Sequence, residues 1–392
     1  MKQPDNSPRR SQQAPATSPR TIFNHRTLPL TIIGLLALLM ACVPASYTND
    51  AVSRSATATD PAASAQGAYT GQWMVEFRTG EDKVQLSFRY GSRNEGFGGY
   101  SNTSFGIAPD QLQGLTREQA MSSAGTHVQF QLKRDAGTLL CEGWFKDGQG
   151  SGHFTFSANP AYVAELKRQG YGAPSSQQQF YMALHDVSFA FIEELKAQNY
   201  PRPTLDQLVD TGTHGVSLEY LRGLKELGYV LRSVDALIEM RDHGVSLSFI
   251  KEMAALGYER LSADELVETK DHGVNPNFIR EMEAAGYSRL PREELVELKD
   301  HGVNPKFIAE LAALGYARLP TEQLREMKDH GVNPDFIREI RQLGYTDATV
   351  EQLIRLRDHG VTAAFIQKMK ERGYQNLTLE ELVRLRDRGG EE

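Results

Sequence analysis

The sequence has little cysteine and no excess of positive charge. Its 392 residues include only Cys42 and Cys141, which excludes a disulfide framework and a cysteine-rich zinc site. The net charge of −7 does not provide the basic surface that nucleic-acid-binding proteins use, so we expect no nucleic acid partner. The apolar share of 40% and the charged share of 24% are ordinary for a globular protein. The length suffices for two or three domains.

Residues 1–42 have the pattern of an export signal. An apolar run without charge, Leu28–Cys42, is shorter than the roughly 20 residues that span a bilayer and is typical of a signal-peptide core. It ends in Leu39-Met40-Ala41-Cys42, which resembles the lipobox of bacterial lipoproteins. The resemblance implies cleavage before Cys42 and lipid attachment to it. An uncleaved single-pass inner-membrane anchor is the alternative, and either leaves most of the chain outside the cytoplasm. Five basic residues precede the run: Lys2, Arg9, Arg10, Arg20 and Arg26.

Residues 43–66 are small and polar, with almost no large apolar side chain. A segment of this composition cannot bury enough surface to fold. We expect a disordered tether that holds the folded part away from a membrane.

Residues 67–158 alternate between apolar and polar side chains, as strands with one buried and one wet face do. The pattern predicts an antiparallel β module that closes into a small sandwich or barrel. The glycine-rich stretches Tyr90–Gly106 and Asp147–His153 lack phosphate-loop spacing and are predicted to be loops. Cys141 falls on the apolar face of its strand, which indicates a buried, inert thiol.

Residues 159–390 repeat with a period of 29 residues. A strict period in this range predicts stacked units rather than one closed domain. Two aromatic columns carry the register. One consists of Tyr171, Tyr200, Tyr229, Tyr258, Tyr287, Tyr316, Tyr345 and Tyr374, and the other of Tyr162, Phe191, Tyr220, Phe249, Phe278, Phe307, Phe336 and Phe365.

Each unit contains the signals of two short helices. Ser262 and Glu265 have the spacing of a capping box at the start of the first helix. Gly273 ends that helix, because glycine adopts positive φ at low steric cost. Asn275 can cap the second helix, and Pro276 fits its first turn. The sequence therefore predicts an α+β multidomain protein, in which the β module is followed by an α-solenoid of helix pairs.

The triplet His-Gly-Val recurs in six units, and its histidine precedes the glycine that ends a helix. A cation is favoured at that end of a helix. One histidine per unit, about 10 Å from the next, does not converge on one point as zinc ligands do. We predict a structural joint that caps the helix and packs between units. A pH-responsive joint and a ladder of metal ligands are the alternatives. The histidines are His214, His243, His272, His301, His330 and His359.

The repeat at Leu353–Ile366, which contains Asp-His-Gly-Val-x-x-x-Phe-Ile, resembles repeats appended to some bacterial membrane metallopeptidases of the beta-lactam-sensor type. Cys141–Tyr171 resembles the segment that leads into those repeats. The likeness covers roughly residues 70 to 390 and omits the peptidase part, since this sequence has no His-Glu-x-x-His motif. It implies an extracytoplasmic accessory or sensing region without the protease.

No Ser-His-Asp order, paired-carboxylate motif or zinc helix stands out, so we expect no enzyme, catalytic residue, metal or cofactor. The pattern favours a non-enzymatic repeat protein, lipid-anchored at the cell envelope, that binds a protein partner through its α-solenoid. The alternative is a sensory or regulatory accessory module of a membrane signalling system, in which the β module or the array detects a ligand.

Overall fold

The computed structural model describes residues 69–78, 81–91 and 100–389. It begins with an antiparallel sheet of seven strands, in the order β3-β2-β1-β7-β6-β5-β4, followed by a series of helices. The predicted α+β class, with a β module followed by a helical repeat region, is confirmed. The described strands form one sheet whose two outermost strands do not pair with each other, rather than the closed sandwich or barrel that the alternation predicted. The signal segment 1–42 with Cys42, and the tether 43–66, lie outside the described residues. The strands are β1 (Thr70–Glu76), β2 (Val84–Gly91), β3 (Tyr100–Ile107), β4 (Leu112–Gln113), β5 (Thr126–Arg134), β6 (Gly137–Lys146) and β7 (Gln149–Ala158).

The alternation predicted for the strands is confirmed, because the apolar set faces one buried side of the sheet. Trp73 lies at its centre and donates its indole Nε1–H to the carbonyl oxygens of Glu142 at 3.2 Å and His153 at 3.1 Å. Gly143 must lack a side chain there, since a Cβ would lie 2.8 Å from the indole. Cys141 is buried, as predicted, and burial raises the pKa of its thiol.

Both loop predictions in this module were partly wrong. Strand β3 occupies Tyr100–Ile107, inside the stretch predicted as a loop, and pairs with β2 along its whole length. Strand β7 begins at Gln149, so that only Asp147 and Gly148 form the turn. The glycines of β7 were interpreted as loop residues, but they lie in a strand. Gly150 is required there by packing, because a Cβ on it would lie 2.5 Å from the ring of Phe145.

Helices α2 to α17 follow the sheet, and each is nine residues long. The short helix α1 lies within the β module. From α3 onward the odd-numbered helices form one layer and the even-numbered helices another, with α5 packed on α7 and α6 on α8. We call these the odd layer and the even layer. The helices are α1 (Arg117–Ala120), α2 (Pro160–Arg168), α3 (Ser176–Leu184), α4 (Phe189–Ala197), α5 (Leu205–Thr213), α6 (Leu218–Glu226), α7 (Val234–Asp242), α8 (Leu247–Ala255), α9 (Ala263–Asp271), α10 (Pro276–Ala284), α11 (Arg292–Asp300), α12 (Pro305–Ala313), α13 (Thr321–Asp329), α14 (Pro334–Gln342), α15 (Val350–Asp358), α16 (Ala363–Glu371) and α17 (Leu379–Asp387).

The predicted helix starts are confirmed in atomic detail. Ser262 Oγ accepts from the N–H of Glu265 at 3.2 Å, and Glu265 Oε2 accepts from the N–H of Ser262 at 2.6 Å. Asn275 Oδ1 caps α10 by accepting from the N–H of Phe278 at 3.0 Å. These bonds satisfy donors that the helix itself leaves free. Capping boxes also occur at Thr204/Gln207, Thr349/Gln352 and Thr378/Glu381, whereas Pro291 and Pro320 precede their helices without a side-chain cap.

The helix ends are equally regular. Gly273 has φ +70°, and its N–H donates to the carbonyl of Lys270 at 2.9 Å. The N–H of Val274 donates to the carbonyl of Thr269 at 3.0 Å, which completes a Schellman motif. Val274 is fully buried, so each Gly-Val pair both ends a helix and anchors the next one in the core.

The sheet and the array share one hydrophobic core. Phe180 of α3 is fully buried and packs against the aromatic residues of the sheet, with its ring 4.6 Å from that of Tyr69 and 5.2 Å from that of Tyr90. The side chain of Gln179 donates to the carbonyl oxygens of Ala136 at 2.8 Å and Asn159 at 2.9 Å. The first unit of the array therefore closes the open face of the sheet.

In the part of the chain that the structure describes, every helix is too short to cross a membrane.

Candidate functional site

Each histidine of the His-Gly-Val triplets contacts an aspartate of the next unit. In every case the histidine Nδ1 lies 2.5–2.7 Å from the aspartate Oδ1, and the two residues are 28 positions apart. We call this series the histidine ladder. Its six pairs are His214–Asp242, His243–Asp271, His272–Asp300, His301–Asp329, His330–Asp358 and His359–Asp387.

The ladder follows from the way each first helix ends. Asp271 is the last residue of α9, and His272 occupies the position that caps it. The two side chains diverge, so Asp271 receives His243 of the previous unit while His272 reaches Asp300 of the next. The side chains of these histidines are 35–42% exposed, and a polar pair this exposed contributes no more than about 0.2–1 kcal/mol. The ladder is thus a series of weak, identical ties between neighbouring units.

Two further columns tie each unit to the next. The ammonium of Lys299 lies 4.4 Å from the ring centre of Phe278 in the preceding unit, a cation–π contact. The hydroxyl of Tyr287 donates to the carbonyl of Leu319 at 2.7 Å. The basic column continues through Arg241, Lys270, Lys328, Arg357 and Arg386, and the tyrosine column through Tyr258, Tyr316 and Tyr345.

The first unit carries a further histidine that our sequence analysis missed. His185 lies 29 residues before His214, but Thr213 stands where the other units have the aspartate partner. Burial lowers the pKa of His185 from 6.5 to about 4, so this imidazole is neutral at pH 7. Asp186 replaces the usual glycine at φ +58° and lies 3.5 Å from the guanidinium of Arg134. The 29-residue spacing from His214 could have identified His185 as a member of the series. We missed it because Asp186 replaces the glycine of the His-Gly-Val triplet.

A groove of about 840 Å³ lies between the sheet and the first units of the array. One side consists of Thr103–Ile107 of β3, and the other consists of residues from the α3–α4 connection, α5, α6 and α8. We call it the β3 groove. His185 and Asp186 line it, which places the irregular first joint at a cavity of the size that ligand sites have.

An exposed column of carboxylates marks the surface of the odd layer. It sits at the seventh residue of each unit, counted from the residue that caps the odd helix, and consists of Asp210, Glu239, Glu268, Glu297 and Glu326. We call it the carboxylate column. Arg355 and Arg384 occupy the same position in the last two units. Glu268 is 2.8 Å from Arg292, and Glu297 forms an ion pair with Arg325.

The ladder does not bring the histidines together as a metal site would. Each contacts one carboxylate, and within residues 69–78, 81–91 and 100–389 no group of three or more histidine, cysteine, aspartate or glutamate side chains is placed to hold a metal ion. No protein-family model matches the chain, and no curated protein matches it at a significant level.

Proposed function

We propose that this is a non-enzymatic repeat protein, anchored at the cell envelope, whose α-solenoid binds an extended basic surface of a protein partner. The carboxylate column is the observation that supports the proposal. Each of its members lies in the C-terminal half of its helix, where the helix dipole disfavours negative charge. In all five of these units a carboxylate also lies four residues before it, as Asp235 does for Glu239, and like charges at this spacing are unfavourable.

Within each helix, the dipole and the i,i+4 spacing favour a different residue at these positions, while Glu268 and Glu297 each pair with an arginine of the next unit. The last two units carry the favoured residue: Arg355 follows Glu351 and Arg384 follows Glu380, both at the favourable spacing for an ion pair. Carboxylates that oppose helix stability and recur at constant pitch suit a partner with basic groups at a similar pitch. Several weak contacts of this kind add up when one partner engages them together.

Capture from detergent-solubilised native membranes tests the proposal. The full chain is compared with a variant in which Glu239, Glu268, Glu297 and Glu326 are changed to Gln. The matched control changes Glu252, Glu281, Glu310 and Glu339 of the even layer to Gln, which removes the same charge. Loss of a captured protein in the first variant alone supports the odd layer as the binding surface. Equal capture by all three proteins would contradict it.

Detection of a ligand is the second candidate function. The β3 groove favours this function because residues of both the β module and the array line the groove. A ligand that binds only the folded state would raise the free energy of unfolding as its concentration rises. Small molecules and peptides recovered from the cell envelope can be screened for that shift. The anchoring itself rests on residues 1–42 and is tested by labelling Cys42 with a metabolic lipid precursor.

A further inference from the structure

Strand β3 is an edge strand whose own residues lack the features that normally protect an edge, and the helices opposite it leave a groove along it. Among the described residues it is hydrogen-bonded only to β2, so every second residue points its N–H and C=O away from the sheet. Protected edges are short, carry proline, charge or a bulge, or are covered directly by a helix or loop. β3 has eight residues, Tyr-Ser-Asn-Thr-Ser-Phe-Gly-Ile, with neither charge nor proline. The opposite edge, β4, has only two residues.

The β3 groove runs along this edge. Five consecutive residues, Thr103 to Ile107, line it, although their side chains alternate between the two faces of the sheet. Consecutive residues can line one groove only where it follows the backbone edge itself. At about 3.4 Å per residue, the lined stretch offers roughly 17 Å of strand for pairing.

The far wall of the groove departs from the repeat. Gly212 stands where later units have lysine or arginine, and Gly223 stands where the neighbouring units have glutamate. Both glycines also permit close packing, since a Cβ on Gly212 would lie 2.8 Å from His185 and one on Gly223 would lie 2.3 Å from Leu247. Their combined effect is that two long charged side chains are missing opposite the strand edge.

The charges that line the groove are balanced. Arg134, Arg222 and Lys251 provide three positive charges, and Asp186, Glu219 and Glu226 provide three negative ones. Apolar side chains, including Phe105 and Leu247, complete the lining. A ligand that matches this wall carries no net charge and presents backbone amides to β3.

We propose that the β3 groove binds an extended peptide segment without net charge, which adds to the sheet as an eighth strand beside β3. Strand addition at a free edge supplies main-chain hydrogen bonds, and alternate side chains face the groove walls. A second copy of this chain is a poorer fit, because α6 and α8 wall the edge and leave about 840 Å³, the room for a short strand rather than a sheet. The site is independent of the carboxylate column, whose members do not line the groove.

Amide hydrogen exchange on the full chain in detergent tests the proposal. The probe is the peptide acetyl-Thr-Val-Thr-Val-Thr-amide, whose length matches Thr103–Ile107. The control peptide has the same sequence with alternate amides N-methylated, so that it cannot form a ladder. We expect the first peptide to slow exchange at Thr103–Ile107 by at least about tenfold, and the methylated peptide to leave it unchanged. Equal slowing by both peptides, or slowing by neither, would overturn the proposal.

A substitution in the strand provides the second arm. A Cβ on Gly106 would make only ordinary contacts, 3.6 Å from Lys83 at the nearest, so Gly106→Glu is expected to fold while it places a charge at the edge. Gly91→Glu is the matched control, because Gly91 ends β2 outside the groove with nothing within 4 Å of a Cβ. Peptide protection should disappear in Gly106→Glu and persist in Gly91→Glu. Protection that persists in Gly106→Glu, or that arises without peptide as protein concentration rises, contradicts a peptide site.

Discussion

The Nδ1 atom of His243 lies 2.6 Å from Oδ1 of Asp271, the residue that ends the corresponding helix of the next unit. The same relationship recurs at five further joints of the array. Each histidine therefore contacts the next unit, and the same contact can form between any two stacked units. This contact gives the recurrent histidine a structural partner at each joint of the array.

A single rung of the ladder should contribute little to stability. In a double-mutant cycle of His272→Ala and Asp300→Ala, we expect a coupling energy of about 0.2–1 kcal/mol, because the pair is exposed and screened by water. Chemical denaturation at low and high salt measures it, and the coupling should shrink at high salt. A coupling of several kcal/mol, insensitive to salt, would show that the pair is more than a weak tie.

His185 should make the protein less stable in mild acid. Its pKa is about 4 in the folded chain and 6.5 as the unperturbed value, so between these pH values the unfolded chain binds a proton that the folded chain does not. The free energy of unfolding should fall as the pH drops from 6.5 towards 4, by at most about 1.4 kcal/mol per pH unit for this group. In His185→Gln this contribution should vanish, so the difference between the two proteins must depend on pH. A difference that is constant from pH 4 to 7.5 would contradict burial as the cause.

Phe180→Ala should destabilise the sheet although Phe180 belongs to a helix. The ring is fully buried among Tyr69, Tyr90 and other aromatic residues, and its loss leaves a cavity that costs about 3–5 kcal/mol. Both tryptophans, Trp73 and Trp144, lie in the sheet, so tryptophan fluorescence during urea denaturation reports its unfolding.

Met74→Ala is the control for that experiment, because Met74 lies on the exposed face of the sheet and its loss should change stability by less than about 0.5 kcal/mol. If Phe180→Ala shifted the fluorescence transition no further than Met74→Ala does, the shared core would not couple the array to the sheet.

Local signals in the sequence were sufficient to predict where the helices begin and end. The capping box of Ser262 and Glu265, and the stop at Gly273, involve residues within a few positions of each other, so their chemistry is legible without the fold. The buried strands were equally legible, because Leu86 and Phe88 alternate with polar neighbours.

Features that depend on tertiary packing could not be predicted from the sequence. β3 is polar and mostly exposed, so its alternation is weak, and only its pairing with β2 identifies it as a strand. The contact of His243 with Asp271 depends on how two units stack, whereas the sequence shows Asp271 beside His272, a pair that does not interact. The β3 groove combines residues more than a hundred positions apart, from Thr103 to Lys251.

Removal of whole units tests whether the array binds a partner through a repeated surface. Deletion of residues 262–290 removes one 29-residue unit, and deletion of 262–319 removes two. Leu261 takes the place of Leu290 or Leu319 at the new joint, and His243 should meet Asp300 or Asp329 instead of Asp271. Both deletions retain the groove, which lies within residues 103–251. We predict that both proteins fold cooperatively and that capture of the membrane partner falls with each unit removed. Undiminished capture by the protein lacking two units would contradict the account.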